Sequence, residues 1–221
     1  MTYCKKINFL FIHIPKTGGT SVYFYLLYKY SKKEITLFSG KRNKIIPNEK
    51  FQRISLQHQV YTTLYKYQKE LNIDFNNSLR IVAIVRNPYT RIISDLFHFK
   101  LIKIDSNPEE VYNKILNNYL YRTDQVNLDN HNIPQYKFVV DENNEIVKDI
   151  KILHFEKMSE EMKQCGFSDF NVHYGSLKDK GINITKEEDY LKYLNHKSID
   201  LINKFYKKDF ELFGYSTFKV F

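Results

Sequence analysis

The sequence predicts a three-layer α/β domain in which a central, mainly parallel sheet is flanked by helices. Three short apolar runs of strand length indicate strands buried on both faces, and a turn and a helical pattern follow each of them. Repetition of this order is typical of a parallel sheet. The chain has 221 residues, of which 43% are hydrophobic, so it can bury a sizeable core.

The first strand is predicted over residues 7–14, whose sequence INFLFIHI is almost entirely apolar. A turn containing two glycines separates it from a helix predicted over 20–30. Residues 32–55 are polar and weakly patterned, which predicts loops and short elements. Apolar residues then recur at helical spacing over 60–71, which predicts the next helix.

The second strand is predicted over residues 80–85, RIVAIV, because the run is apolar and β-branched. Pro88 lies near the first turn of the amphipathic helix predicted over 89–103. Another helix is predicted to start at Pro108 and to end near residue 121. Residues 138–147 are predicted to form a hairpin or a short strand pair, because two apolar runs flank a polar turn.

The third strand is predicted over residues 150–155, IKILHF, and a helix over 159–164 follows it. Closing helices are predicted over 187–194 and 198–205. The chain has no internal repeat, low-complexity tract or linker-like segment. We therefore predict a single domain spanning residues 1–221.

Charge and cysteine content narrow the functional classes. Thirty-four Lys and Arg against 25 Asp and Glu give a net charge of +9, which suits either polyanionic partners or simply a lysine-rich soluble protein. No apolar run approaches the roughly 20 residues of a membrane span. The N-terminal apolar stretch lacks a cleavage site of small residues, so we predict no signal peptide. Cys4 and Cys165 form neither a disulfide framework nor a metal pattern, and a cytoplasmic protein is expected.

The segment from His13 to Ser21, HIPKTGGTS, lies between a predicted buried strand and a helix. Backbone N–H groups and the helix dipole make such a junction an anion site, so we predict a P-loop-like domain. The lysine precedes the glycine pair, which excludes a Walker A loop. The predicted phosphate-binding residues are Lys16, Thr17, Gly18, Gly19, Thr20 and Ser21.

A second candidate anion site follows the second strand, in the sequence VRNPYTRIIS. Arg86 stands at the end of the strand, and Ser94 lies about two turns into the next helix. Arginine suits a phosphate because its planar fork donates two parallel hydrogen bonds. Taken alone, an ion pair between Arg86 and a carboxylate explains the pattern equally well.

Together the two loops resemble those of carbohydrate sulfotransferases, the family that includes heparan sulfate 2-O- and chondroitin 4-O-type enzymes. The resemblance implies 3′-phosphoadenosine 5′-phosphosulfate (PAPS) as the sulfuryl donor, with the segment from Lys16 to Ser21 on its 5′-phosphosulfate group. It also implies that Arg86 and Ser94 hold the 3′-phosphate. Asn87 stands where the family motif has Asp, and we expect a local change in turn or cap hydrogen bonding without loss of binding, because Asn and Asp both favour such positions.

Weaker similarity to the family continues along the chain. The segment from His131 to Gln135, HNIPQ, is similar to a His-x-x-Pro-Gln element of several members. Residues 152–158 resemble a late core strand with its following glutamate, and residues 206–215 resemble the closing motif of the family.

The general base is predicted to be a histidine, because its pKa suits proton removal near neutral pH. His58 lies in a segment that resembles the base loop of the family, although Gln57 stands where glycine is usual. His98 is the alternative base, and His131 suits contact with a sugar. Lys16 is predicted to be catalytic by placing positive charge on the bridging and leaving oxygens, and no metal is expected.

The sequence therefore predicts a PAPS-dependent enzyme that sulfates a hydroxyl of a saccharide or glycoconjugate. Two alternatives remain open at this point. A P-loop-like small-molecule kinase would share the strand, glycine loop and helix, but no clear Walker B aspartate follows a strand. A non-enzymatic polyanion-binding protein would use the positive charge, although no nucleic-acid-binding signature is present, and no nucleic acid partner is expected.

Overall fold

A computed structural model describes residues 1–37, 55–121, 128–171 and 187–219 of the chain. Its five-stranded sheet has the order β3-β1-β2-β4-β5. The strands are β1 (Thr2–Cys4), β2 (Phe9–Ile12), β3 (Ile35–Leu37), β4 (Arg80–Val85) and β5 (Ile150–His154). The prediction of an α/β fold is thus confirmed.

The sheet is mixed, whereas the sequence pattern predicted a mainly parallel one. Strands β2, β4 and β5 are parallel neighbours, as predicted from their apolar runs. Strand β1 was not predicted, and it pairs antiparallel with both β2 and β3. A short turn from Lys5 to Asn8, in which Asn8 adopts a left-handed φ of 44°, reverses the chain between β1 and β2. Such a short connection allows only antiparallel pairing.

Helices cover both faces of the sheet. In chain order they are α1 (Gly19–Lys29), α2 (Tyr61–Lys66), α3 (Pro88–His98), α4 (Pro108–Ile115), α5 (Met158–Gln164), α6 (Glu187–Leu191), α7 (His196–Phe205) and α8 (Lys207–Phe213). Helices α2 and α3 are shorter than predicted. The helix predicted to reach residue 121 changes into a π-helical turn after α4, and the region predicted as a hairpin contains a single antiparallel bridge between Val140 and Ile146.

The alternating side chains of the central strands feed two apolar cores. On one face, Phe11 and Val82 pack with residues of α1 and α5. On the other face, Leu10 and Ile81 pack with residues of α2 and α8. A third cluster joins α3 to α4, α6 and α7 beside the sheet. Burial on both faces is what the continuous apolar runs of β2 and β4 predicted.

The parallel strands end together at one edge of the sheet, and the segments that follow them carry the predicted site. Ligands of open α/β sheets bind at this carboxyl edge. The opposite, amino edge is formed by the starts of β2, β4 and β5. Within the described part of the chain, no helix combines the length and apolarity that crossing a membrane requires. Most of the predicted loop region 32–55 lies outside the described residues.

Candidate active site

The loop between β2 and α1 is tightly constrained. Lys16 and Gly18 both have left-handed backbones, with φ of 66° and 85°. Gly18 is the N-cap of α1, and a Cβ at this position would lie 2.8 Å from the sulfur of Met158. The hydroxyl of buried Thr17 donates a 2.8 Å hydrogen bond to the carbonyl of Ile14, which closes the loop. The predicted phosphate loop therefore wraps the N-terminus of a helix, where an anion is stabilised.

Gly19 is required because the ring of His13 packs directly against it. A Cβ added to Gly19 would lie 2.2 Å from Nε2 of His13. His13 also receives a 3.0 Å hydrogen bond at Nδ1 from the side-chain amide of Gln57. Gln57, which stands where the base loop of the family has glycine, thus links the segment of His58 to the phosphate loop.

Arg86 lies at the end of β4 and joins the two predicted anion loops. Its Nε donates to the hydroxyl of Thr90 at 2.9 Å, and Nη1 donates to the carbonyl of Lys16 at 3.2 Å. Its guanidinium also lies 4.4 Å from the ring centroid of Phe155 and 4.9 Å from that of Tyr190. These hydrogen bonds use two of the five N–H groups of a guanidinium. No carboxylate among the described residues forms an ion pair with Arg86, so the alternative explanation of the pattern is not supported.

The second predicted loop begins helix α3 in the manner expected from its sequence. Asn87 is the N-cap, and its side chain accepts a 3.0 Å hydrogen bond from the backbone N–H of Tyr89. Asn87 thus occupies a helix N-cap, a position that Asn and Asp both favour. Pro88 occupies the first turn, and Ser94 lies buried further along the same helix.

Arg91 is a structural residue that sequence reasoning left without a role. It is 1% exposed, and its guanidinium donates hydrogen bonds to three backbone carbonyls. The acceptors are Pro15 at 3.1 Å, Ile133 at 3.2 Å and His131 at 2.6 Å. Arg91 thus fixes the phosphate loop relative to the segment that carries His131.

Buried His58 forms a pair with half-buried Asp129. Its Nδ1 lies 2.7 Å from Oδ2 of Asp129. Two further donors hold the same carboxylate, because the backbone N–H of Ser55 bonds to Oδ1 and the Ser55 hydroxyl bonds to Oδ2, both at 2.6 Å. Asn130 completes the arrangement by donating a 3.0 Å hydrogen bond to the carbonyl of His58. With Asp129 ionised, Nδ1 of His58 carries the proton and Nε2 is the basic nitrogen.

His131 forms a second pair, with Asp95 of helix α3. Its Nδ1 lies 2.6 Å from Oδ1 of this fully buried carboxylate. The hydroxyl of Tyr119 donates a 2.5 Å bond to Oδ2 of Asp95. Asp95 and Asp129 were both missed from the sequence, since each lies far along the chain from the histidine that it contacts.

Four histidine rings form a continuous row through the site. The ring of His58 lies edge-on to that of His13, with centroids 5.0 Å apart, and edge-on to that of His131 at 4.8 Å. The exposed ring of His98 stacks on His131 at 5.2 Å. The structure therefore brings His58 next to the phosphate loop, whereas His98 stacks on His131 at the end of the row.

The electrostatics of this row favour neutral histidines near the phosphate loop. Burial lowers the pKa of His58 to about 4, although Asp129 opposes the change. Burial also lowers the pKa of His13 well below its ordinary value, and positive charge at Lys16 adds to this effect. Burial disfavours ionised Asp95, but His131, Arg91 and Lys16 together hold its pKa below the ordinary value. At neutral pH the site thus contains uncharged imidazole at His58 beside ionised carboxylates.

The segment 131–136 also anchors the end of the chain. The side-chain amide of Gln135 exchanges hydrogen bonds with the backbone of Arg86, at 2.9 Å and 2.8 Å. Asp209 of α8 accepts hydrogen bonds from the backbone N–H groups of Gln135 and Tyr136. Burial raises the pKa of Asp209 to about 6, against the effect of those donors. The weakly similar motifs near residues 131–135 and 206–215 are therefore in direct contact.

One group among the described residues has the chemistry of a metal site. His58, Asp129 and His131 offer ligand atoms within 4.8 Å of one another. Each histidine already uses Nδ1 to bond a carboxylate at 2.6 or 2.7 Å. We therefore interpret the group as two hydrogen-bonded His–Asp pairs, and metal-independent transfer stays a prediction.

Comparison with known proteins identifies the family of the chain. The model of the Sulfotransferase family matches residues 1–183, a region that includes both predicted anion loops, His58 and every strand of the sheet. No curated protein and no solved structure matched the chain. A match over this much of the chain identifies its family. The chain belongs to the sulfotransferase family, and it is accordingly a transferase of sulfuryl groups.

Proposed function

We propose that this sulfotransferase moves a sulfuryl group from PAPS to a hydroxyl of a saccharide or glycoconjugate, with His58 as the general base. The observation that carries the proposal is the His58–Asp129 pair beside the phosphate loop. Its Nδ1–carboxylate bond of 2.7 Å leaves Nε2 as the basic nitrogen of a neutral imidazole. A base and an anion site are the two parts that transfer to a hydroxyl requires.

The donor set fits a phosphosulfate group. The loop offers backbone N–H groups at the start of α1, the hydroxyls of Thr20 and Ser21 and the ammonium of Lys16, and the loop sequence contains no carboxylate. Thr17 would contribute through its backbone, since its hydroxyl already donates to Ile14. Gly18 and Gly19 keep side chains away from this surface. PAPS, when bound, supplies the activated sulfuryl group.

Arg86 and Ser94 are the residues proposed to hold the 3′-phosphate. A guanidinium has three N–H groups beyond the two that Arg86 uses toward Thr90 and Lys16. The bond from Arg86 to the Lys16 carbonyl supports a coupled site, because a shift at one anion loop would reach the other. The remaining donors of Arg86 are suited to bidentate recognition.

Proton removal follows from the geometry of the His58 pair. The acceptor hydroxyl would give its proton to Nε2 of His58 as its oxygen forms the new bond to sulfur, while the bond between sulfur and the bridging oxygen breaks and 3′-phosphoadenosine 5′-phosphate leaves. Asp129 would stabilise the imidazolium by accepting the Nδ1–H bond, so it orients the base without receiving the proton. Lys16 would balance negative charge on the leaving phosphate, an effect that is largest in the transition state.

Radiolabel transfer distinguishes this function from a kinase. Purified protein would be incubated with ³⁵S-labelled PAPS, or with γ-³²P-labelled ATP and Mg²⁺, and a mixture of oligosaccharide acceptors. We expect ³⁵S to appear in the acceptor, to persist in excess EDTA and to fall by at least about 10²-fold in His58→Ala. Incorporation of ³²P that EDTA abolishes, without incorporation of ³⁵S, would contradict the proposal.

A further inference from the structure

A large cleft lies at the amino edge of the sheet, away from the phosphate loop. It has a volume of about 650 Å³ and is bordered by the starts of β2, β4 and β5 and by helix α2. A second cleft, of about 570 Å³, adjoins it. Tyr61 and Tyr65 of α2 line both clefts. The two tyrosines therefore form the shared wall of one extended groove.

The shared wall is an aromatic platform. The rings of Tyr61 and Tyr65 are stacked, with centroids 5.8 Å apart and planes 18° apart. Phe75 braces both rings edge-on, at 5.8 Å and 5.4 Å. Tyr65 nevertheless remains 50% exposed, which is unusual for a ring held so firmly. A fixed, exposed aromatic face is suited to the apolar face of a flat ligand.

Polar side chains surround this platform, and their charges are balanced. The first cleft has Arg80, Lys151, Asp149 and the amides of Asn76 and Asn77. The second has Asp141, Glu142, Glu145 and Lys148. Among the described residues, the groove carries three cationic and four anionic side chains, in a chain whose net charge is +9. The groove therefore offers a polyanion less electrostatic attraction than the average surface of this protein.

Helix α2 connects the groove to the proposed base. His58 lies beside His13, which follows β2 at the carboxyl edge of the sheet, and α2 begins three residues later at Tyr61, which lines the cleft at the amino edge. The Cα atoms of His58 and Tyr65 are separated by at most about 16 Å, given three extended residues and four helical ones. A chain-like acceptor with one unit at His58 is therefore long enough to reach the platform along α2.

We propose that this groove binds a neutral saccharide segment of the acceptor, with pyranose rings stacked on Tyr61 and Tyr65. The inference rests on the proposed function for its acceptor class and adds where, and with what charge, that acceptor binds. Sugar rings present C–H groups to aromatic faces and hydroxyls to amides and carboxylates. The groove offers both, and its nearly balanced charge gives no excess of cations for a sulfated or uronic chain.

Saccharide binding measured in the absence of any sulfuryl donor tests this site. Ligand-observed NMR titration would compare three neutral probes, chitohexaose, cellohexaose and maltohexaose, with a heparin hexasaccharide. We expect at least one neutral probe to bind more tightly than the heparin probe. Tyr65→Ala should weaken that binding at least about fivefold, while Tyr65→Phe should retain it because the ring is kept. Tyr28→Ala is the matched control, since Tyr28 is an exposed tyrosine of α1, at 72% exposure.

Two controls make the outcome decisive. Thermal unfolding of each variant checks that the fold is retained, and adenosine 3′,5′-bisphosphate is titrated into the same samples. The proposal is overturned if only the heparin probe binds, if no probe binds at millimolar concentration, or if Tyr65→Ala binds like wild type. If a neutral saccharide binds in a manner that depends on Tyr65 but adenosine 3′,5′-bisphosphate does not bind, the saccharide site is supported and the proposed function is contradicted.

Discussion

Replacement of Asp129 by asparagine should harm turnover more than replacement by alanine. The reason lies in how the carboxylate is held. The backbone N–H of Ser55 bonds Oδ1 of Asp129, whereas Oδ2 faces Nδ1 of His58. A backbone donor cannot become an acceptor, so in Asp129→Asn the amide oxygen of the new side chain must occupy the Oδ1 position. Its NH₂ group then faces His58 and forces Nδ1 to accept, which places the proton on Nε2 and removes the base.

The two variants should lose different amounts of kcat, because each substitution removes a different contribution to catalysis. The asparagine variant loses the basic nitrogen in its dominant tautomer, so it should lose most of the contribution of a general base, about 10²–10⁴-fold in kcat. The alanine variant loses one charge-assisted hydrogen bond of about 1.5–3 kcal/mol but leaves the tautomer free, which corresponds to about 10- to 150-fold. For folding the order is reversed, because Asp129→Ala leaves the Ser55 N–H without its acceptor.

Single-turnover transfer of ³⁵S from PAPS at saturating donor would compare the two variants. Asp200→Asn is the control, since Asp200 is an exposed carboxylate of α7 paired with Lys204. The transfer rate of Asp200→Asn should equal that of wild type. If Asp129→Ala turns over more slowly than Asp129→Asn, and the loss of rate follows the loss of stability, then Asp129 has only a structural role. That result would refute the claim that Asp129 orients His58.

Further predictions concern the phosphate loop and the histidine row. Lys16→Ala should lower kcat by at least tenfold with little change in nucleotide affinity, measured by calorimetry and saturation kinetics; a pure affinity loss would make Lys16 a binding residue. Gly19→Ala should destabilise the fold by about 1–3 kcal/mol in urea unfolding, because its Cβ would lie 2.2 Å from the ring of His13; unchanged stability would contradict this packing. For the free enzyme, kcat/KM should stay flat from pH 7.5 to 5.5, because the pKa of His58 is about 4, whereas a base at the ordinary value would lose about tenfold. The pKa of His58 is lower in the folded chain than in the unfolded chain, so the unfolded chain binds more protons as the pH falls. Lowering the pH from 7.5 to 5 should therefore reduce the contribution of His58 to the free energy of unfolding by about 2 kcal/mol. Unfolding measured at each pH should show this loss in wild type and not in His58→Gln.

The central strands could be predicted from the sequence because continuous apolar runs indicate strands that are buried on both faces. RIVAIV predicted β4 with its observed bounds, Arg80–Val85. Strand β1 carries no such signal, since its three residues, TYC, are too few for a period to emerge. Its pairing depends on the left-handed turn at Asn8 and on neighbours supplied by β2 and β3.

The two anion loops of the candidate site could be predicted because each follows a strand, whereas His58 was predicted only from the resemblance of its segment to the base loop of the family. The loop at Lys16 and the strand end at Arg86 stand at such junctions, and the structure joins them through one hydrogen bond. The carboxylates Asp95 and Asp129 could not be assigned, because they meet their histidines across 36 and 71 residues. A usable signal was present at Asp95, a carboxylate in a helix whose neighbours are apolar. Asp129 lies in an irregular polar segment without any periodic pattern.

The most direct test of the proposed PAPS site is calorimetric titration of adenosine 3′,5′-bisphosphate and AMP into wild type, Arg86→Ala and Arg80→Ala. Arg80 is the matched control, because it begins the strand that Arg86 follows and lies at the opposite edge of the sheet. We predict that the bisphosphate binds wild type and Arg80→Ala much more tightly than AMP does. Arg86→Ala should lose about 10-fold or more of that affinity and nearly all of the preference. Equal affinity of wild type for the two nucleotides would contradict a PAPS site at these loops.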